Sequence, residues 1–195
     1  MRLALALVLL AAGCGPLVQI GGNAPAPDML LTLRAPDAPA STSVATGVPL
    51  IVALPTVPGA LRTLRIPVTT QATEVAYLKQ ANWIEQPNLL FQRLLADVVQ
   101  ARSGRPVLDE RAAGSGAAQR LSGRLVEFGL DVRGDRVVRV RYDALLTGGD
   151  GTVASHRFEA TAPVAAETGP DVARALNGAA IAVADEVAAW VTSRS

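Results

Sequence analysis

The chain has 195 residues, with 18 Lys and Arg against 17 Asp and Glu, half of its residues apolar, 4% aromatic, and a single Cys and a single His. That length allows about one domain; one Cys forbids an internal disulfide framework, and one His with one Cys supplies too few ligands for the usual zinc or copper site. Lys79 is the only lysine, and removing Arg2 with a leader leaves 17 basic against 17 acidic groups, a balance without the excess cationic charge on which nucleic-acid binding relies.

Met1 and Arg2 precede the apolar run Leu3–Leu10 and then Ala11, Ala12, Gly13 and Cys14. A charge, an apolar stretch and small residues before a cut form the pattern of an export signal. The run is too short to cross a hydrocarbon core that requires about 20 helical residues. Small residues directly ahead of the only Cys resemble a bacterial lipobox. That resemblance implies that residues 1–13 are a lipoprotein signal peptide and that Cys14 becomes a lipidated first residue, anchored by acyl chains worth about 0.8 kcal/mol per buried methylene. Gly15 stands where Asp would signal inner-membrane retention, which favours the periplasmic face of the outer membrane. Gly15–Pro27 carries no charge and no periodicity, so residues 14–27 read as a lipidated tether, able to reach roughly 40 Å when extended. Residues 28–195 remain as a single domain.

That domain opens with a predicted strand at 29–34 and a loop rich in Pro, Ser, Thr and Ala at 35–47. Val48–Leu54 suits a short buried strand. The uncharged stretch from Ala38 to Leu61 is no membrane helix, because Pro49, Pro55, Pro58 and Gly59 break it. Thr63–Val68 and Glu74–Leu78 are predicted strands. From Asn88 to Ser103 the period changes: Leu90, Leu94 and Val98, beside Phe91, Leu95 and Val99, recur every four residues, which predicts an amphipathic helix started by Pro87 and stopped at Gly104.

A short strand near Pro106 and a loop through Gly114 and Gly116 lead to three alternating segments. The first holds Val126, Phe128, Leu130 and Val132, the second Val138, Val140, Tyr142, Ala144 and Leu146, the third Phe158, Ala160 and Ala162. Gly-rich turns at 133–135 and 148–151 make them a meander. The last element starts at Thr168, a cap residue with Pro170 and Asp171 in the first turn, and its stripe is Val172, Leu176, Ala179, Val183, Val187 and Trp190. Arg174, Asp185 and Glu186 argue against a membrane span. The sum is an α+β domain in which an antiparallel or mixed sheet carries two amphipathic helices on one face.

The search for chemistry returns little. Ser155 beside His156 is the one start to a Ser/His reading, but adjacent strand residues point to opposite faces. Ser115 is not in a G-x-S-x-G elbow. Gly114-Ser115-Gly116 lacks the third Gly of a dinucleotide fingerprint, and Gly148–Gly151 lacks the Lys of a phosphate-binding loop. Arg133-Gly134-Asp135 spells an adhesion tripeptide in a place where a turn demands those residue types anyway. Asp109 with Glu110, and Asp185 with Glu186, read as solvated pairs. No catalytic, cofactor-binding or metal-ligating residue is assigned.

The informative segment is Tyr77-Leu78-Lys79-Gln80-Ala81-Asn82-Trp83-Ile84-Glu85-Gln86-Pro87, running directly into a helix. With the lipobox, the opening strand and Leu64-Arg65-Ile66-Pro67-Val68, it resembles the ABC-type transport auxiliary lipoprotein family, the PqiC-like proteins, over nearly all of the mature length. The resemblance implies a non-catalytic partner of a transporter built from an ATPase, a permease and a periplasmic MCE-domain protein, moving phospholipids or other lipids between membranes. It implies no cofactor, no nucleic acid, attachment to the outer membrane through the lipid anchor, and leaves a homo-oligomer open. Trp83 is then either a core residue locking strand to helix or, with Tyr77, part of a partner-binding edge, since Trp is enriched at interfaces. Two other classes stay open: a lipoprotein scaffold of another envelope assembly, and a periplasmic hydrolase acting through Ser155 or His156.

Overall fold

A computed structural model describes residues 29–36, 46–108 and 118–194. Cys14, the 14–27 tether, the Gly114–Gly116 loop, the Asp109–Glu110 pair and most of the predicted 35–47 loop lie outside them. In chain order the elements are β1 (Leu30–Leu31), β2 (Leu50–Val52), a 3-10 turn (Gly59–Leu61), β3 (Arg65–Gln71), β4 (Glu74–Trp83), α1 (Pro87–Ser103), β5 (Val107–Leu108), β6 (Gln119–Asp131), β7 (Val137–Thr147), β8 (Val153–Pro163) and α2 (Gly169–Thr192). The strand predicted at Glu74–Leu78 therefore runs on to Trp83 and takes in the Tyr77–Trp83 segment.

The strands form one eight-stranded sheet. Its spine is the meander: β6 pairs β7 antiparallel over its whole length, and β7 pairs β8 antiparallel from Val137↔Pro163 to Thr147↔Val153. The other edge of β6 is shared. Its first residues take β2 in parallel (Leu50↔Gln119), its last take β3 in parallel (Val68↔Leu130), and Thr56 bridges Arg124 between them. β5 extends the sheet beyond β2, while β4 and then β1 extend it beyond β3. Four of the seven pairings are thus parallel, so the sheet is mixed.

Both helices follow from their end signals. Pro87 sits in the first turn of α1, and Gly104 ends it in the left-handed region at φ 66° with its N–H donated to the Gln100 carbonyl. At α2, the Thr168 hydroxyl accepts from the Asp171 N–H and donates to the Asp171 carboxylate, which also takes a hydrogen bond from Arg174. The helices pack on each other, and Arg102 of α1 reaches Asp185 of α2 at 2.7 Å. α2 lies over β7 and β8. Phe91 of α1 meets Tyr142 of β7 with ring centroids 5.3 Å apart. No helix among the described residues is long and apolar enough to cross a membrane.

Two local expectations need correction. The predicted alternation Val126, Phe128, Leu130, Val132 is out of phase at its start, because β6 bulges between Leu125 and Glu127. Leu121 and Leu125 are buried before the bulge, Phe128 and Leu130 after it, and Val126 is the extra residue. The α2 stripe is also wider than read: Ala173, Ala180, Ala184, Ala188 and Val191 are buried with it, whereas Trp190 is only half-buried.

Candidate interaction surface

β4 places the Tyr77–Pro87 segment. Between Pro67↔Tyr77 and Arg65↔Asn82 its register slips against β3, and Gln80 sits at φ 53° within the slipped stretch. Such a bulge re-aims the strand, and here it turns Leu78, Ala81 and Trp83 all into the core. Trp83 has no exposed surface; its ring packs against Phe128 at 5.7 Å, and its backbone N–H donates to the Leu64 carbonyl. Trp83 is thus a core residue packed between neighbouring parts of the sheet. Tyr77 is half-buried, donates its hydroxyl to the Ala60 carbonyl and carries the Arg65 guanidinium 4.5 Å above its ring.

What the segment does present is its end. The Ile84 N–H donates to the Leu31 carbonyl, bringing β1 alongside, and Ile84, Leu30 and Leu64 are exposed by 52, 51 and 42%. Met29, at 57%, leads into the same corner. All stand at one end of the paired strands β1, β4 and β3, and exposed apolar side chains gathered at one end of a sheet are of the kind that marks interaction sites. The sequence does not show this end, since the three residues come from separate segments that lie alongside one another only through the β1–β4 and β3–β4 pairings.

Ser155 and His156 are separated as strand geometry requires. Ser155 opposes Leu145, while His156 packs edge-on to Phe158 at 4.6 Å and stacks on Trp190 at 6.2 Å. At the 133–135 turn an open depression of about 530 Å³ is lined by Asp131, Arg133, Asp135, Arg139 and Thr161. Asp131 at its centre is already paired: Arg133 donates to it from its side chain at 2.6 and 2.9 Å and from its backbone at 3.1 Å. Those bonds hold the Asp131 carboxyl down at about 2, the Arg133 side chain contributing most and burial opposing it.

The uncovered face of the meander is a charge ladder. Arg141 donates to Glu127 at 2.6 Å and to Glu159 at 2.8 Å, Arg139 donates to Glu159 and forms an ion pair with Glu127, and Arg157 forks onto Asp143 at 2.6 and 2.9 Å. Each pair joins neighbouring strands. The ladder was readable as alternating charge at Arg139, Arg141, Asp143 and again at Arg157, Glu159, but the apolar half of the pattern drew the reading.

A crystal structure of a Xanthomonas campestris protein of the DUF330 family superposes with TM-score 0.72 at 20% identity, covering 85% of this chain and 97% of that one. That of an uncharacterized protein does so with TM-score 0.66 at 14% identity, covering 82% and 99%. Both support the fold alone. Among curated proteins none matches the sequence. The profile of the ABC-type transport auxiliary lipoprotein component matches residues 31–188, from β1 to the last turns of α2 and with the Tyr77–Pro87 segment inside it. The chain belongs to the ABC-type transport auxiliary lipoprotein family.

Proposed function

We propose that this chain is the non-catalytic lipoprotein of an MCE-type ABC transporter for phospholipids or related lipids, anchored through Cys14 at the periplasmic face of the outer membrane and docked on the periplasmic MCE-domain protein. The observation that carries the reading is the family match, which spans the domain from its first strand to its last helix. The exposed corner of Leu30, Leu64 and Ile84 is the docking surface in this reading, with Tyr77 beside it on the same strand and Trp83 beneath it holding the corner in place. The contact is apolar, and basic and acidic residues nearly balance, so burial rather than long-range steering drives association.

The test is co-purification of the full chain with the MCE-domain protein at low and high ionic strength, with bound lipid assayed by mass spectrometry. Capture at both salts is expected, together with an acylated mass on Cys14. Ile84→Arg and Leu30→Arg, at exposed positions, should weaken capture while leaving the fold intact. Stoichiometric phospholipid on the purified chain with no MCE interaction at either salt would make it a lipid carrier instead. An unacylated Cys14 would remove the anchor.

A further inference from the structure

We propose that Leu17–Ile20 of the tether add to the sheet as a short strand along the outer edge of β4, parallel to it and in the register Val18↔Ala76. Among the described residues β4 pairs with β3 along its length and with β1 only at Asn82 and Trp83, so its outer edge is open from Glu74 to Gln80. The main-chain groups on offer there follow from the neighbouring pairings. Val132 donates its N–H to the Thr69 carbonyl, which turns the main-chain groups of Thr69 toward β6. Val68↔Ala76 is therefore the hydrogen-bonded pair between β3 and β4, and the N–H and C=O of Val75 and Tyr77 point outward. Side chains do little to close this edge: Val75 is 51% exposed and Ala76 beside it is exposed, where an edge strand ordinarily carries charge or proline.

The occupant is named by where the chain goes. β1 lies parallel to β4, with the Leu31 carbonyl accepting from the Ile84 N–H, so every second residue back from Leu31 would have to bond β4: Met29, then Pro27, then Pro25. Neither proline has an N–H to give, and β4 itself is bulged between Tyr77 and Asn82. The tether cannot follow β4 without a break. Across the break it holds Gly21, Gly22 and Asn23, and before them Leu17-Val18-Gln19-Ile20, where its apolar and β-branched residues gather. The eight residues Gly21–Asp28 reach about 26 Å when extended, against about 10 Å from Leu78 to Ala81 along a strand. The segment therefore arrives at the open stretch with slack, running in the direction of β1.

One register suits both sides. Val18↔Ala76 sets Leu17 beside the exposed Val75, Ile20 beside Leu78, and Gln19 beside Tyr77, whose hydroxyl and overlying Arg65 make that the polar position. A slip of one residue in one direction puts Leu17 beside Glu74 and Gln19 beside Ala76; a slip in the other puts Gln19 beside the buried Leu78 and Ile20 beside Lys79. With Val18 opposite Ala76, the Val18 N–H donates to the Val75 carbonyl, the Tyr77 N–H donates to the Val18 carbonyl, and the Ile20 N–H donates to the Tyr77 carbonyl. Only Cys14–Pro16 then separate the anchor from the sheet, about 10 Å in place of the roughly 40 Å of the free tether. The strand is thus a latch that sets how far the domain stands from the membrane. That consequence rests on acylation of Cys14, whereas the pairing does not.

The experiment is hydrogen exchange on the purified full chain in detergent, comparing wild type with Val18→Pro, which removes the donated N–H without touching the domain. The Tyr77 amide should exchange about tenfold faster in the variant, while the amides of β7 stay unchanged. Independently, in a Cys14→Ser chain, a short thiol-to-thiol cross-linker should join Leu17→Cys to Val75→Cys within one molecule, and Ile20→Cys to Val75→Cys much less. Tyr77 exchange that is the same in both chains, or a stronger link from residue 20 than from residue 17, would overturn the strand. Protection of Tyr77 that grows with protein concentration would give the edge to a second copy and overturn it as well. Neither measurement involves the MCE-domain protein, so the loss of the latch would leave the docking reading standing.

Discussion

β7 shows two kinds of surface on one strand. Toward the helices it sets Val138, Val140, Tyr142, Ala144 and Leu146, all essentially without solvent contact. Away from them it sets Arg139, Arg141 and Asp143, each paired across to a neighbouring strand and each still wet. The same backbone hydrogen bonds serve both faces, so the difference lies in what happens to water. Burial of apolar groups on the helix side contributes free energy roughly in proportion to area. Ion pairs on the open side exchange hydration for contact at nearly equal cost, and what they add is sign-specific register. Stability should belong to one face and pairing specificity to the other.

The comparison is tested hardest in the helix layer. Leu94 of α1 and Leu176 of α2 are at most 2% exposed and lie in the cluster that fills the space above the sheet. Leu94→Ala or Leu176→Ala should each cost about 2 to 5 kcal/mol, the lost transfer energy plus that of an unfilled cavity. Denaturant titration measures this directly. A loss below about 1 kcal/mol at both positions would mean that the helices do not hold the sheet.

A smaller effect is expected where the two surfaces meet, at Asp131. It is the last residue of β6 and nearly buried, yet it is charged and bonded by Arg133. Its carboxyl is depressed in the fold to about 2 from the ordinary 3.8, so the native state favours the ionised form. Its contribution is therefore complete above the unfolded value, and it is lost as pH falls from about 4 to about 2. On the order of 1 to 2 kcal/mol should be present at neutral pH and absent in Asp131→Asn. Stability followed from neutral pH down to about 2 should show the wild-type curve converging on that of the variant. Parallel curves would show that the Arg133 bonds do not favour the charged form.

What the sequence made legible divides along physical lines. α1 was readable to within a residue because its stop and start are local: Pro87 fixes its first turn, and Gly104 takes the one conformation that ends it at no steric cost. The meander was readable because each of its strands is joined to the next by a short turn. The parallel pairings of β2 and β3 on β6 were not, since their partners lie over sixty residues apart with no turn between them. Val126 was misread because a bulge is decided by the facing strand. The separation of Ser155 from His156 follows from a period of two and needed no structure. The apolar corner of Leu30, Leu64 and Ile84 needed one, because it exists only once three segments are paired.

The smallest effect is expected on the open face, and its form matters more than its size. Arg141→Ala removes the hydrogen bonds to Glu127 and Glu159, but Arg139 remains ion-paired with the same two carboxylates. All four side chains keep between a quarter and two-fifths of their surface in water. The single substitution should therefore cost about 0.2 to 1 kcal/mol, shrinking as salt is raised past the point where screening acts within about 10 Å. Removing Arg139 as well leaves Glu127, Asp131 and Glu159 close together with their shared cation gone, so the double variant should lose more than the sum of the two singles. A double-mutant cycle at low and high salt measures that excess. If Arg141→Ala alone costs as much as Leu176→Ala, or the excess persists unchanged in high salt, the open face is holding the meander together and the division between the two surfaces of β7 fails.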